Sequence, residues 1–381
     1  MTEEVSFLKE LLITNSVNPP GNEKKVAEII AKKLEENGIE CNLRSLGPDR
    51  AYLTARIKGN GNKKSLAFSG HMDTVPPGDI PWDYDPFGGQ EVDGKLYGRG
   101  ASDMKSGLAA LAMAMVEIAR EGIPLEGDLV LAATAGEEVD TLGARTMIED
   151  GVLKDTGAMI IGEPSNNELF IAHKGALWLE ITSYGKTAHG SMPDQGINAI
   201  VHMNTFINAL HDNFKFKFKE DKLLGGPTMN FGVISGGVNT NVVPDVCRLQ
   251  IDMRTVPGME HREIIADITS LMKEIENGST ARFDLKVLND LMAVGTPAED
   301  ELIKLAKSVS EEISGTERQL KGVRYYTDAS TFVKGLGEGL PVLIYGPGVE
   351  TMAHKPNEHV EISKYLEAIK FYKKVALEYL K

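Results

Sequence analysis

Cysteine is almost absent. Cys41 and Cys247 are the two cysteines in 381 residues, with no CxxC spacing, which excludes a disulfide framework and marks both as small buried hydrophobes. Long apolar runs are missing too, since no segment approaches the roughly 18 consecutive apolar residues of a membrane-spanning helix. Positive charge is in deficit: 41 Lys and Arg against 55 Asp and Glu leave a formal net charge of -14. That balance disfavours nucleic-acid backbones and anionic membranes as partners, while leaving room for a locally basic pocket that takes an anionic small molecule. The opening Met-Thr-Glu-Glu is acidic where a secretory signal is basic, so a cytoplasmic protein is expected. Neither nucleotide-binding spacing, GxGxxG or GxxxxGK[ST], occurs around residues 94–100.

What is present is the composition of a soluble globular protein, 42% hydrophobic and 25% charged, in a chain too long for one ordinary core. Two domains, or one domain carrying an insertion, are expected. Residues 98–110, G-R-G-A-S-D-M-K-S-G-L-A-A, place Asp103 at the mouth of a helix whose apolar positions Leu108, Leu111, Ala112, Met115 and Ala119 recur at helical spacing until Gly122 and Pro124. Alone, Asp103 reads as an N-cap. Its company argues otherwise. Apolar β-like runs at 65–69, 129–135, 158–161 and 341–345 are followed by His71, by Glu137 and Glu138, by Glu163 and, at more distance, by His354. Strands alternating with helices predict an α/β fold, a mixed, largely parallel sheet flanked by helices, and such sheets collect ligands beyond the carboxyl ends of their strands.

Between these halves the order changes to strand (177–184), helix (198–210), strand (229–234), strand (247–254), helix (260–275), strand (283–288). This βαββαβ order is ferredoxin-like and predicts an inserted domain. The expected division is 1–175 and 291–381 for a catalytic domain and 176–290 for the insertion. Arg254 lies opposite the apolar face made by Leu249, Ile251 and Met253, so it projects away from the inserted domain's core.

Two imidazoles and three carboxylates form a nitrogen and oxygen donor set suited to zinc, cobalt or manganese. One carboxylate bridging two ions would give each ion three protein ligands and leave positions for water. Adjacent Glu137 and Glu138 would then divide the labour, one on metal and one handling the proton.

The stretches S-G-H-M-D-T-V-P, G-R-G-A-S-D-M-K-S-G, T-A-G-E-E, I-G-E-P-S and A-H-K-P-N-E resemble, in order and spacing over nearly the whole chain, the zinc-dependent deacylases and peptidases that include acetylornithine deacetylase, succinyl-diaminopimelate desuccinylase, aminoacylase and glutamate-releasing carboxypeptidase. The resemblance implies two Zn2+ per subunit, with Co2+ or Mn2+ as substitutes. It makes His71, Asp103 and Glu163 ligands of one ion and Asp103, Glu138 and His354 ligands of the other, with Asp103 as the bridge. Glu137 becomes the general base and acid, Asp73 the group that holds the His71 imidazole in its ligating tautomer, and the Asp103–Met104 peptide is expected to be cis. The inserted βαββαβ unit becomes a lid and dimerisation domain. In it His189 matches an oxyanion donor to the partner subunit, Asn241 a substrate contact, and Arg254 the arginine that forks onto the substrate carboxylate. Thr327 and Gly346 are expected to line the pocket.

The function expected from this resemblance is a cytoplasmic, homodimeric two-zinc amidohydrolase that removes an N-acyl group from an amino acid, with succinyl-diaminopimelate as first substrate. Acetylornithine deacetylation or dipeptide hydrolysis is the alternative, and a catalytically silent binding protein is the alternative from another class. A succinyl carboxylate calls for one more cation, for which Lys174, Lys186 and Arg324 are the candidates.

Overall fold

The computed structural model describes residues 2–381, which form two compact units. Of the described residues, one comprises 2–172, 295–323 and 327–381 and the other 173–294 with 324–326, so the three-residue segment 324–326 belongs with the insertion rather than with the chain's last segment. Among the described residues no helix is long and apolar enough to cross a membrane.

The larger unit is built on a sheet whose centre is four parallel strands, in the order Leu129–Thr134, Ser65–His71, Thr156–Ile161, Val342–Ile344. The Leu129–Thr134, Ser65–His71 and Val342–Ile344 strands are buried along their whole length, as expected of parallel strands covered on both faces. Antiparallel strands flank this centre: Ala51–Ile57 and Glu40–Ser45 on one side, Leu169–His173 on the other. Because the four central strands run the same way, the residues that follow them emerge at one edge of the sheet.

The helix Lys105–Glu121 is sequestered through most of its turns, with Leu108, Leu111, Met115 and Ile118 all buried, and Gly122 closes it in a left-handed conformation. It packs beside the helices Glu3–Ile13 and Ile362–Tyr379. Each fully buried leucine or valine contributes about 1.5 to 3 kcal/mol of transfer free energy. The helix also carries a buried cation, Lys105. Its ammonium donates to the carbonyls of Leu11 (2.9 Å) and Thr14 (2.7 Å) at the end of the first helix, where the helix dipole favours positive charge. Gly107 is required here, since a Cβ would stand 1.8 Å from the Gly162 carbonyl oxygen. That contact brings the Asp103 helix against the strand end bearing Glu163. A small antiparallel sheet of Gln90–Val92, Lys95–Tyr97 and His359–Glu361 sets the 98–103 segment beside the 354–358 segment.

The second unit is a four-stranded antiparallel sheet ordered Thr228–Gly236, Val246–Thr255, Gly175–Tyr184, Arg282–Leu291, with helices Ala199–Asn213 and His261–Asn277 packed on it. Its chain order is βαββαβ. Cys247, Leu249, Ile251 and Met253 are buried on alternate positions of the second of these strands in space, and Arg254 lies on the other face. The Phe-Lys alternation from 213 to 222 forms no regular element beyond its first residue.

Candidate metal centre

His71 is the last residue of its strand; Glu137 and Glu138 follow Leu129–Thr134, and Glu163 follows Thr156–Ile161. All stand at the carboxyl ends of neighbouring parallel strands, and Asp103 and His354 join them from loops. Asp103 does not cap its helix. Met104 occupies the cap position, and the Asp103 carboxylate lies between two imidazoles. Its Oδ1 is 3.1 Å from His71 Nε2 and its Oδ2 is 3.3 Å from His354 Nε2. Glu163 Oε1 is 3.7 Å from His71 Nε2, and Glu138 Oε2 is 3.1 Å from His354 Nε2. Donor atoms of His71, Asp103 and Glu138 lie within 4.8 Å of one another, as do those of His71, Glu137 and Glu163. The Asp103–Met104 peptide is cis.

These residues fit a metal in donor chemistry as well as in distance. His71 Nδ1 is 2.9 Å from the main-chain carbonyl of Asp73, which can only accept, so Nδ1 carries the proton and Nε2 turns its lone pair toward Asp103 and Glu163. The tautomer is therefore held by the Asp73 backbone. The Asp73 carboxylate, 3.7 Å from Nδ1, binds main-chain and amide donors instead. Its Oδ1 accepts from the amides of Gly136 (2.9 Å) and Glu137 (3.2 Å), and its Oδ2 from Glu138 N (3.3 Å) and Asn18 Nδ2 (2.9 Å). Asp73 thus ties the His71 strand to the turn that presents both glutamates. Asn18 carries no sequence signal beyond its place before Pro19-Pro20-Gly21.

Electrostatics follow from crowding anions in a dry site. Burial, then the neighbouring Glu163, holds the Glu137 carboxyl well above the usual carboxylate range. Burial also raises Glu163, against the attraction of His71. For Asp103 burial works in the same direction, but the hydrogen bonds to His354 and His71 win and its carboxyl falls below the ordinary range. His354 is pushed up to about 10 by its hydrogen bonds to Asp103 and then Glu138. With protons as the only cations, its share of stability is fully present below its ordinary value near 6.5 and lost as pH rises through about 10. The raised Glu137 and Glu163 act in the same sense, because ionising them inside the fold costs more than outside. Chelator-treated protein is therefore expected to melt at progressively lower temperature from about pH 6.5 to 10, and the metal-loaded protein to escape most of that decline, as thermal denaturation across pH would show.

Thr327 and Gly346, both expected to line the pocket, make close contacts in the larger unit. Thr327 is fully buried, and its hydroxyl accepts from Ala329 N at 3.1 Å to start the helix Ala329–Leu336. Gly346 packs against the backbone of Gly162 and Glu163, where a Cβ would stand 2.3 Å from the Gly162 oxygen. That close approach fixes Gly346 against the strand end that carries Glu163. In the second unit His189 is exposed, and its Nδ1 accepts from Ser191 N at 3.2 Å, which leaves the proton on Nε2. Asn241 lies alongside, its carbonyl accepting from Gly190 N at 2.7 Å. Arg254 engages Asp252 through Nε (3.0 Å), and its guanidinium lies 5.9 Å from the Tyr326 ring. Lys174 donates to the Gly226 carbonyl at 2.6 Å; burial and then Arg324 and Arg254 depress its ammonium, so three of the unit's cations are neighbours while Lys186 is not among them.

Known proteins are similar to this chain over nearly its whole length. A probable succinyl-diaminopimelate desuccinylase of Staphylococcus aureus (strain N315) is 30% identical over all of this chain and 98% of its own. An acetylornithine deacetylase of Proteus mirabilis (strain HI4320) is 28% identical over 94% of this chain and 92% of its own. The crystal structure of an M20 family metallo-carboxypeptidase from Sulfolobus solfataricus superposes with a TM-score of 0.81 at 22% identity, covering 99% of both chains. The model of peptidase family M20/M25/M40 matches residues 67–378. The chain belongs to that family, and it is a hydrolase of amide bonds.

Proposed function

We propose that the chain is a two-metal amidohydrolase that removes the acyl group from an N-acyl amino acid, with N-succinyl-LL-diaminopimelate as its first substrate. The observation that carries this reading is the division of the Asp103 carboxylate, one oxygen toward His71 and the other toward His354, as a bridge between two ions requires. His71, Asp103 and Glu163 would hold one ion and Asp103, Glu138 and His354 the other, zinc by preference and cobalt or manganese as substitutes. When bound, such ions polarise the scissile carbonyl and lower the pKa of a water toward about 7.

The chain's own groups do the rest. Glu137, raised by burial and by Glu163, takes the proton from the attacking water and passes it to the leaving nitrogen. His189 presents an Nε2–H suited to the substrate oxyanion in the partner subunit's active site, and Asn241 beside it offers an amide to the substrate. The Arg254 fork takes a substrate carboxylate, with Lys174 and Arg324 as the cations for a second one. An acyl group ending in a carboxylate, such as succinyl, matches that surplus of positive charge better than acetyl does.

The second unit also supports a homodimer. Its edge strand Thr228–Gly236 exposes Val233 and Ile234, more than half of each side chain being accessible, and Val238 beyond it is almost fully exposed. Unpaired apolar sheet edges are stabilised by a partner.

The acetylornithine reading is kept as the second one because that relative is 28% identical, close to the 30% of the desuccinylase. Measurement of kcat/KM on zinc-loaded protein with N-succinyl-LL-diaminopimelate, N-acetylornithine and a dipeptide decides between them. A preference of about a hundredfold for the succinyl substrate is expected, roughly 2.7 kcal/mol of transition-state discrimination. Equal rates on all three would remove the named substrate, and no hydrolysis of any by metal-loaded protein would leave the binding-protein reading.

A further inference from the structure

Arg99 and Glu358 form an ion pair of which neither member is accessible, and no role in binding or proton transfer falls to either. The pair joins three segments that carry metal-site residues. Glu358 Oε1 accepts from the amides of Ser102 (2.8 Å) and Asp103 (2.9 Å), so it grips the backbone from which the Asp103 carboxylate projects. Its Oε2 takes Arg99 Nη1. The same guanidinium donates to the carbonyl of Lys355, the residue after His354, at 3.4 Å, and through Nη2 to the carbonyls of Pro76 (3.3 Å) and Pro77 (3.5 Å), just beyond the His71 and Asp73 segment. Asn357, next to Glu358, accepts from Asp83 N and donates to Asp83 Oδ2, both at 2.7 Å.

The two proposed ion sites do not depend on this pair equally. His71 ends a buried strand with its ring fixed by the Asp73 carbonyl, and Glu163 follows another buried strand. The His354 ring instead meets the carboxylates of Glu138 and Asp103. The residue stands on a loop, half exposed, with φ at 62°, a left-handed conformation that a non-glycine residue keeps only where its surroundings enforce it. Arg99 reaches this loop at the Lys355 carbonyl, while Glu358 holds the facing Ser102 and Asp103 amides.

Resting on the two-metal reading above, we infer that Arg99 and Glu358 are a positioning pair for the second ion site: they set the affinity of the Asp103, Glu138 and His354 donors, while the His71, Asp103 and Glu163 donors hold their ion largely without them. Glu358→Gln keeps the size of the side chain but forces an amide NH2 to face either the guanidinium or the two backbone amides, donor against donor. Arg99→Lys keeps the charge but has no fork to span Lys355, Pro76 and Pro77.

The test is titration of the chelator-stripped full chain with Co2+, following visible absorption and stoichiometry, for the parent, Glu358→Gln and Arg99→Lys. The parent is expected to take up two ions. Each variant is expected to bind the first within about threefold of the parent and the second at least about tenfold more weakly, with activity recovered at high Co2+ concentration. Equal weakening of both ions, or unchanged binding of both, in whichever variant keeps the parent's circular dichroism overturns the inference. If Glu358→Gln does not fold, Arg99→Lys decides alone, and loss of folding in both variants makes the pair structural and overturns it too. A parent that takes up fewer than two ions overturns the two-metal reading itself, and is thereby distinguished from failure of the pair's role.

Discussion

Glu137→Ala is expected to lower kcat by about 10³-fold, within the range of a positioned acid–base group, with KM nearly unchanged and metal content undiminished. The metal measurement is the decisive half. Donor atoms of His71, Glu137 and Glu163 lie close enough together for Glu137 to be a ligand, so geometry leaves two roles available to it. Loss of an ion together with the rate would make Glu137 a ligand; loss of rate alone makes it the base. Stability provides a second reading. Glu137 is raised by burial and by Glu163, so ionising it opposes folding at every pH above the ordinary carboxylate range. The chelator-treated variant should therefore melt higher than the chelator-treated parent at pH 8, a case of a functional group retained at the expense of stability.

The centre was legible because of where its residues stand relative to the strands. A polar, ligand-type residue directly after an apolar β-run is visible without coordinates, and His71, Glu137, Glu138 and Glu163 are all of that kind. The parallel direction of the four strands then brings them to one edge. The βαββαβ unit was legible for a similar reason, since alternate burial on Val246–Thr255 writes a period of two into the sequence.

What supports the centre was not legible, because it is made of backbone contacts over long sequence separations. Glu358 closes the A-H-K-P-N-E stretch, yet nothing local says that its carboxylate accepts the amides of Ser102 and Asp103, more than two hundred residues earlier. The Asp73 carboxylate grips the 136–138 amides in the same way, whereas the resemblance assigns Asp73 to the His71 ring. Nothing near Lys105 in the sequence says that its ammonium meets the Leu11 and Thr14 carbonyls at the end of the first helix. Thr327 and Gly346 reached the pocket expectation through resemblance, and nothing local shows that Thr327 is buried or that Gly346 meets the Gly162 and Glu163 backbone. The helix Glu301–Ser314 had good local signals, Asp300 as its cap and Leu302, Ile303, Ala306 and Val309 on one face, but no motif draws attention to it.

Asp103→Ala is expected to have the widest consequences of any single change, abolishing tight uptake of both ions and lowering kcat/KM by roughly 10⁴-fold or more. The reason is that one side chain serves two imidazoles through two different oxygens. Asp103→Asn separates charge from geometry. Its amide keeps one oxygen and replaces the other with a donor, so it can face a single ion and is expected to bind one at most. Retention of two tightly bound ions by either variant would refute the bridge. The imidazoles report on the same point in chelated protein, because the hydrogen bond to Asp103 is the first cause of the elevation of His354. Without that carboxylate the His354 titration should move down toward its ordinary range, held up only by Glu138, and nuclear magnetic resonance of the ring would show it. A second site that failed in Asp103→Ala while His354 still titrated near 10 would mean that Glu138 alone orders the loop. Joint movement of the titration and the second ion would tie both to Asp103.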